Sequence, residues 1–220
     1  MYNIHPSAIS LLVPLYNSPQ RYYHNLNHIH YGISKISEYK NNVYLTSSQE
    51  HTILYSWWFH DAIYSIYPYY DSNNETESAS LFREWLYDEN SMSDNQRLTL
   101  HKKFDEIVYN IQYTARHLED IKEFKYPTTP IILDVDLVGF SKPFQEVYND
   151  SGKIFKEFAP LALDEKIFLT KRIEFLSTLL KKSNIFYTDY FYSNYEKLAR
   201  DNIEGVIELG IKELQDLSNK

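Results

Sequence analysis

Eight histidines and 30 acidic residues, with no cysteine, limit the chemistry open to this chain. Disulfides, thiolate nucleophiles and Cys-type zinc sites are excluded together, so any metal site must be built from imidazole and carboxylate. Three short segments carry such groups at meaningful spacings. In Arg21-Tyr22-Tyr23-His24-Asn25-Leu26-Asn27-His28-Ile29, His24 and His28 stand four residues apart, and a helix would present both rings on one face. In Trp57-Trp58-Phe59-His60-Asp61-Ala62, two ligand-competent groups adjoin inside a very apolar run. Leu133-Asp134-Val135-Asp136-Leu137 again sets carboxylates among apolar residues. An ionised Asp buried without partners is costly, so these contexts imply pairing or a bound cation. Nitrogen and carboxylate oxygen together suit divalent Mn, Fe, Co, Ni, Mg or Zn at a site with open positions. Water on such an ion has its pKa pulled toward neutrality and becomes a nucleophile for phosphorus. Each segment alone has an ordinary reading: a buried His is usually a hydrogen-bonded core residue, and a lone Asp usually caps a helix. The ordered conjunction of all three, each with apolar flanks, is what points to a metal centre.

These groups need elements to position them, and most of the chain repeats its apolar residues at the helical period. The pattern predicts helices over 25–39, 50–64, 74–87, 95–117, 142–158, 164–180 and 190–217. Ser72, Asn73 and Asn74 are candidate caps for the third. The segment 131–137 alternates apolar with acidic and reads as a strand by period alone. A lone strand would leave its hydrogen bonds unsatisfied, so a helix start or a turn is expected after Pro127 and Pro130. The fold class expected is all-α.

Only five glycines and eight prolines are present, with no repeat and no low-complexity linker, so residues 1–220 are expected to form one domain. Its metal-site core would run over about 21–140 and a helical C-terminal part over 141–220. With 43% hydrophobic residues the chain is globular rather than disordered. No run approaches the roughly 20 apolar residues of a membrane span. Met1-Tyr2-Asn3-Ile4-His5 lacks the basic and apolar regions of a signal peptide, and a cytoplasmic location is expected. A formal charge of −8 disfavours an extended nucleic-acid surface and leaves room for a nucleotide or a strand end held at a metal.

Five blocks in order give a resemblance: Arg21 to Ile29, Trp58-Phe59-His60-Asp61-Ala62-Ile63-Tyr64, Asn74-Glu75-Thr76-Glu77-Ser78-Ala79, Thr114-Ala115-Arg116-His117, and Leu133 to Leu137. Together they resemble the predicted metal-dependent phosphohydrolases of the HD superfamily, from Arg21 to about Phe140, with a weaker match at Ile185-Phe186-Tyr187-Thr188. The resemblance implies an all-helical HD-domain bundle whose divalent metal is held by His28, His60, Asp61 and Asp136. Asp136 is preferred over Asp134 because the family's last ligand commonly precedes a Leu, as Leu137 follows here. The His-Asn-x-x-His block also resembles cyclic-nucleotide phosphodiesterases, which implies His24 as general acid and His28 as ligand. After His60-Asp61 no nearby His continues the helix face, a departure from the bimetal pattern.

The matching blocks further imply Glu75 as a catalytic carboxylate that orients a ligand or the water, against its ordinary place in a helix first turn. Arg21, Asn25 and His117 are implied at a small phosphorylated substrate, with a second metal site open to His117. Tyr64, Tyr67 and the last helix are candidates for selectivity. The expected activity is hydrolysis of a phosphate ester of a nucleotide or related small molecule. Two alternatives use the same residues: a di-iron oxygenase on the same scaffold, and a non-catalytic nucleotide- or partner-binding module with a structural metal.

Overall fold

A computed structural model describes residues 4–65, 73–88, 92–158 and 164–219. Among them are nine α-helices and no strand: α1 (Pro6–Tyr16), α2 (Leu26–Asn42), α3 (Ser47–Phe59), α4 (Asn74–Asp88), α5 (Asp94–Tyr113), α6 (Thr129–Leu137), α7 (Phe144–Phe158), α8 (Glu165–Lys181) and α9 (Asp189–Ser218). Short 3-10 turns at Thr114–Arg116 and Val138–Ser141 follow α5 and α6. The all-α expectation holds, and no helix among the described residues is long and apolar enough to cross a membrane.

The architecture is organised around α3. Its residues Thr52 to Phe59 are all buried, as a helix apolar on every side must be. It packs on α2, α4, α5 and α6, and Trp57, Trp58 and Phe59 are among the largest fully enclosed side chains. Its start is fixed by a capping box, in which the Thr46 hydroxyl accepts from the Gln49 N–H while the Gln49 side chain accepts from the Thr46 N–H. A second capping box, Ser93 with Gln96, starts α5.

The segment 131–137 is helical throughout and buried except at Asp136, which is half-buried. A helix closes its own backbone bonds and needs no neighbouring strand, and the Pro130 ring sits in its first turn, where no N–H is required.

Three differences from the sequence reading bear on the site residues. The helix expected over 50–64 ends at Phe59, so His60 and Asp61 lie at its C-terminal exit. The helix expected over 95–117 ends at Tyr113, and His117 follows the 3-10 turn. The helix expected from residue 25 begins at Leu26, with Asn25 as its cap, so His24 precedes the helix instead of sharing a face with His28. One helix, α1, carries no signal in the chemistry-bearing segments. Its Ala8, Leu12 and Tyr16 are fully buried, and the Tyr16 hydroxyl donates to the Trp58 carbonyl at 2.9 Å.

A candidate metal centre at the convergence of three helices

His28 enters from the first turn of α2, His60 and Asp61 from the exit of α3, and Asp136 from the end of α6. Their ligand atoms meet. His28 Nε2 lies 3.3 Å from His60 Nε2, 3.4 Å from Asp136 Oδ1 and 3.7 Å from Asp61 Oδ2. His60 Nε2 lies 3.1 Å from Asp61 Oδ2 and 3.7 Å from Asp136 Oδ1. One atom each from His28, His60 and Asp136 falls within 4.8 Å of the others, and both rings are buried. The sequence-predicted ligands are therefore brought together.

Local structure explains how. Arg21, in the loop before α2, donates from one nitrogen to the Asp61 and His24 carbonyls at 2.6 and 3.2 Å, and from another to the Ala62 carbonyl at 2.7 Å. The Asp61 and Ala62 carbonyls lie just past the end of α3, where the helix supplies no donor to them. The guanidinium thus straps the segment carrying His24 to the segment carrying Asp61. Ser78, fully buried on α4, pins the same exit: its hydroxyl accepts from the Ile63 N–H at 3.0 Å and donates to the Ile63 carbonyl at 3.2 Å.

The donor set fits a cation. His60 Nδ1 is 2.7 Å from the Trp57 carbonyl, which can only accept. Nδ1 therefore carries a proton, and in the neutral ring the Nε2 lone pair faces two carboxylates and a second imidazole. The His60 lone pair and the two carboxylate oxygens converging here repel one another, and a divalent ion removes that repulsion. The proton equilibria carry the same message. Burial opposes charge on His60, yet Asp61 and Asp136 raise its pKa well above the ordinary histidine value. For Asp61, burial is outweighed by the His60 and His24 rings, and its pKa is lowered. For Asp136, burial is outweighed by His117, His28 and His60, and its pKa is well below the usual range. Burial lowers His28. Positive charge is wanted at this point, and without an ion a proton on His60 supplies it.

Asp134 and Asp136 part ways because two residues along a helix turn the side chain about 200°. Asp134 is fully buried and accepts from the N–H groups of Tyr187 and Thr188, both at 2.8 Å, and from the Thr188 hydroxyl at 2.7 Å. It anchors the chain before α9. Asp136 turns to the centre, and its second oxygen receives His117 Nε2 at 2.8 Å. A carboxylate only accepts, so His117 Nε2 is the protonated nitrogen, while its buried Nδ1 has no partner among the described residues. His117 is held by its own backbone too, since Lys182 Nζ donates to the His117 carbonyl at 2.6 Å.

No family model, no curated protein and no solved structure matches the chain. What the centre can do is therefore argued from its own atoms.

His24 lies beside the ligands, its ring centroid 6.0 Å from that of His28. Tyr64 stacks on one face at 4.1 Å, and Tyr23 meets it edge-on at 4.8 Å. Its Nδ1 is 2.7 Å from Glu157 Oε2 on α7. Burial alone would lower His24, but Glu157, with Asp61, raises its pKa. Sequence reasoning missed Glu157. The signal lay in the stripe Val147, Asp150, Ile154 and Glu157, which recurs at helical spacing and puts two acids on the inward face of α7.

Asn25 spends its side chain on the local turn, accepting from the Asn27 N–H at 2.8 Å and donating to the Tyr22 and Arg21 carbonyls at 2.9 and 3.2 Å. Glu75 is half-buried in the first turn of α4, and burial, reinforced by Asp61 and Asp136, raises its pKa. It therefore sits within electrostatic reach of the centre. Asn74 is engaged elsewhere, bonding both the N–H and the carbonyl of Ser65, and the Asn73 carbonyl accepts the first helical bond of α4, from Glu77. Ser72 and Tyr67 lie outside the described residues.

Proposed function

We infer that this chain is a metal-dependent phosphohydrolase of HD type, acting on a phosphate ester of a nucleotide or a related small molecule. The observation that carries the reading is the meeting of His28, His60 and Asp136, with Asp61 alongside, at one buried point flanked by a histidine that is not among them. His28, His60, Asp61 and Asp136 would hold the ion. Bound there, a divalent cation supplies Lewis acidity, polarising a phosphoryl oxygen and making water more acidic.

The chain's own groups do the rest. His24 has one nitrogen fixed: Nδ1–H donates a hydrogen bond to the Glu157 carboxylate. Only Nε2 is left to exchange a proton with substrate. The raised His24 pKa keeps that nitrogen protonated further up the pH scale than in a free imidazole, which suits a general acid donating to a departing alkoxide. Such a step contributes about 10²–10⁴-fold. Tyr64, stacked on one face, and Tyr23, edge-on, hold the ring in place. His117 orients Asp136 through the 2.8 Å bond. Glu75, whose raised pKa reflects burial together with Asp61 and Asp136, would serve as a carboxylate acting on the water.

The experiment is elemental analysis combined with kinetics on generic phosphoesters in Mn²⁺ or Co²⁺. His60→Ala and Asp61→Ala lose both metal and turnover, while His24→Ala keeps the metal and loses rate. Full metal content in His60→Ala would refute the ligand assignment. A protein that binds metal yet turns over no nucleotide, cyclic dinucleotide or simple phosphoester would leave only a binding role.

A further inference from the structure

One buried amide ties α3 to the start of α6. Asn110, on α5, is fully enclosed, as are Ser56 on α3 and Thr128 and Thr129 at the beginning of α6. Asn110 Nδ2 donates to Ser56 Oγ at 3.2 Å and to Thr128 Oγ1 at 2.9 Å. Its Oδ1 accepts from Thr129 Oγ1 at 2.7 Å. The two hydroxyls that accept donate onward, Ser56 to the Thr52 carbonyl at 2.7 Å and Thr128 to Glu106 Oε1 at 2.8 Å. Both amide hydrogens and the amide oxygen are therefore used, and all three bonds leave α5.

Buried polar groups are stable only where every member is satisfied, and such a network then admits one register of the elements it joins. Here α6 forgoes a cap for it. Thr128 stands at the cap position without capping the helix, whereas Thr46 and Ser93 spend their hydroxyls on the first turns of α3 and α5. Sliding α6 by one turn along α5 would leave the amide and its partners buried and unpaired.

The same tie leads to the ligands. His60, which keeps helical backbone angles at the end of α3, follows Ser56 by four residues, and Asp136 follows Thr129 by seven. Both intervals return a helical side chain to the same face. The helices α3 and α6 are in contact. Bridged at one end through Asn110, they bring His60 Nε2 and Asp136 Oδ1 to 3.7 Å at the other.

We propose that Asn110 is a positioning residue of the candidate metal centre, fixing through Ser56 and Thr129 the spacing of His60 from Asp136 and with it the affinity for the ion. This rests on the metal-dependent reading of those groups, and its test keeps the two apart. The full chain is compared with Thr129→Val, which keeps the shape and removes the donor to Asn110, and with Thr129→Ser, which keeps the hydroxyl. Leu176→Ala, a truncation of a fully buried residue on α8, is the control for lost stability. Affinity for Co²⁺ is measured by competition with a chelator, well below every melting transition. The visible bands of bound Co²⁺ report ligand geometry, and crystals of the metal-free proteins give the separation of His60 from Asp136.

Thr129→Val weakens Co²⁺ binding about tenfold, shifts the visible bands and changes the 3.7 Å separation. Thr129→Ser restores all three, and Leu176→Ala lowers Tm while moving none of them. Asn110→Leu repeats the Thr129→Val result; should it not fold, the Thr129 pair decides alone. Wild-type affinity, bands or separation in Thr129→Val, or an equal change in Leu176→Ala, overturns the proposal and leaves the metal centre standing. If the wild type takes up no Co²⁺, the metal reading falls and the crystals judge the tie. A separation changed in Thr129→Val and restored in Thr129→Ser then sustains the role of Asn110 in placing the two side chains, and an unchanged one removes it.

Discussion

Nδ1 of His24 lies 2.7 Å from Oε2 of Glu157, a residue 133 positions further along the chain. The other oxygen of the same carboxylate accepts from the N–H groups of Tyr23 and His24 at 2.7 and 2.9 Å. One buried side chain therefore fixes both the ring and the backbone that carries it. Glu157→Gln keeps the size and puts an amide where two acceptors stood, so the His24 ring loses its orientation. The expected loss is about 10²–10⁴-fold on phosphoesters with poorly stabilised alkoxide leaving groups. Esters of p-nitrophenol, whose leaving group needs no proton, are spared, and metal content is unchanged. An equal loss on both ester types would mean that Glu157 serves the fold alone.

The same pair predicts a pH dependence of stability. A free imidazole titrates near 6.5 and a free Glu near 4.3. Burial works against charged His24, but Glu157 and Asp61 raise its pKa, so folding favours the imidazolium. That contribution is complete below about pH 6.5 and fades as pH rises through the folded-state value. Burial raises Glu157, but His24 and the two backbone N–H groups hold its pKa below normal. Its contribution is complete above about pH 4.3 and is lost as pH falls through the depressed value. The gap in melting temperature between the wild type and Glu157→Gln should be widest around pH 5 to 6 and narrow toward pH 9. A gap constant across that range contradicts the charged-pair assignment.

Metal binding should appear as stability. An ion that binds the folded chain and not the unfolded one adds about 2.7 kcal/mol at a free concentration of 100 times Kd. Adding Mn²⁺ or Zn²⁺ to chelator-treated protein should raise Tm, and Asp136→Asn should abolish most of the rise, because the neutral amide has one oxygen where His117 and the ion side each use one. His28→Ala should behave alike. A thermal shift of wild-type size in both variants would place the ion elsewhere.

Much of the centre was legible because metal ligation makes a strong demand on residue type. His60 and Asp61 stood out as charge-bearing groups in an apolar run, and the structure buries that run on every side. The choice of Asp136 over Asp134 also agrees with the helix geometry, which sends one to His28 and the other to Tyr187 and Thr188. What escaped was contributed by residues whose meaning depends on a distant partner. Glu157 reads as a surface acid until α7 is packed against the loop at Tyr23 and His24. Arg21 reads as a candidate phosphate clamp until the exit of α3 presents its carbonyls. The end of α3 was overrun because the apolar pattern continues through Ala62 and Ile63, and a period in sequence does not register a helix closed off by an arginine from elsewhere.

Asp134 is an anchor sensitive to a single-atom change. Burial pushes its pKa up to about 7, although three donors on Tyr187 and Thr188 pull the other way. In Asp134→Asn the amide NH₂ faces a donor in place of an acceptor. Leaving buried donors unsatisfied costs about 1–3 kcal/mol each, so chemical denaturation should show a loss of that order or more. Amide hydrogen exchange should accelerate at Tyr187 and Thr188. Unchanged protection at those two amides would show that the segment before α9 is held by other contacts.

The close approach of α2 to α3 depends on Gly32. A Cβ built there would lie 2.1 Å from Trp57 Cζ2 and 2.2 Å from Cε2. The indole cannot retreat easily, for its Nε1–H donates to the Ile29 carbonyl at 2.9 Å and it is fully buried. The ring is also the floor of the candidate metal centre, stacked on His60 at 4.2 Å and meeting His28 at 4.9 Å. Overpacking of this kind typically costs about 1–3 kcal/mol, but here relief requires moving the two histidines as well. Gly32→Ala should therefore lower Tm and weaken metal affinity together. Trp57→Phe, which shortens the ring at the crowded edge, should recover part of the stability in the double variant while losing the bond to Ile29. If Gly32→Ala lowered Tm and left the metal Kd untouched, the indole would be shown to position the core and not the ligands.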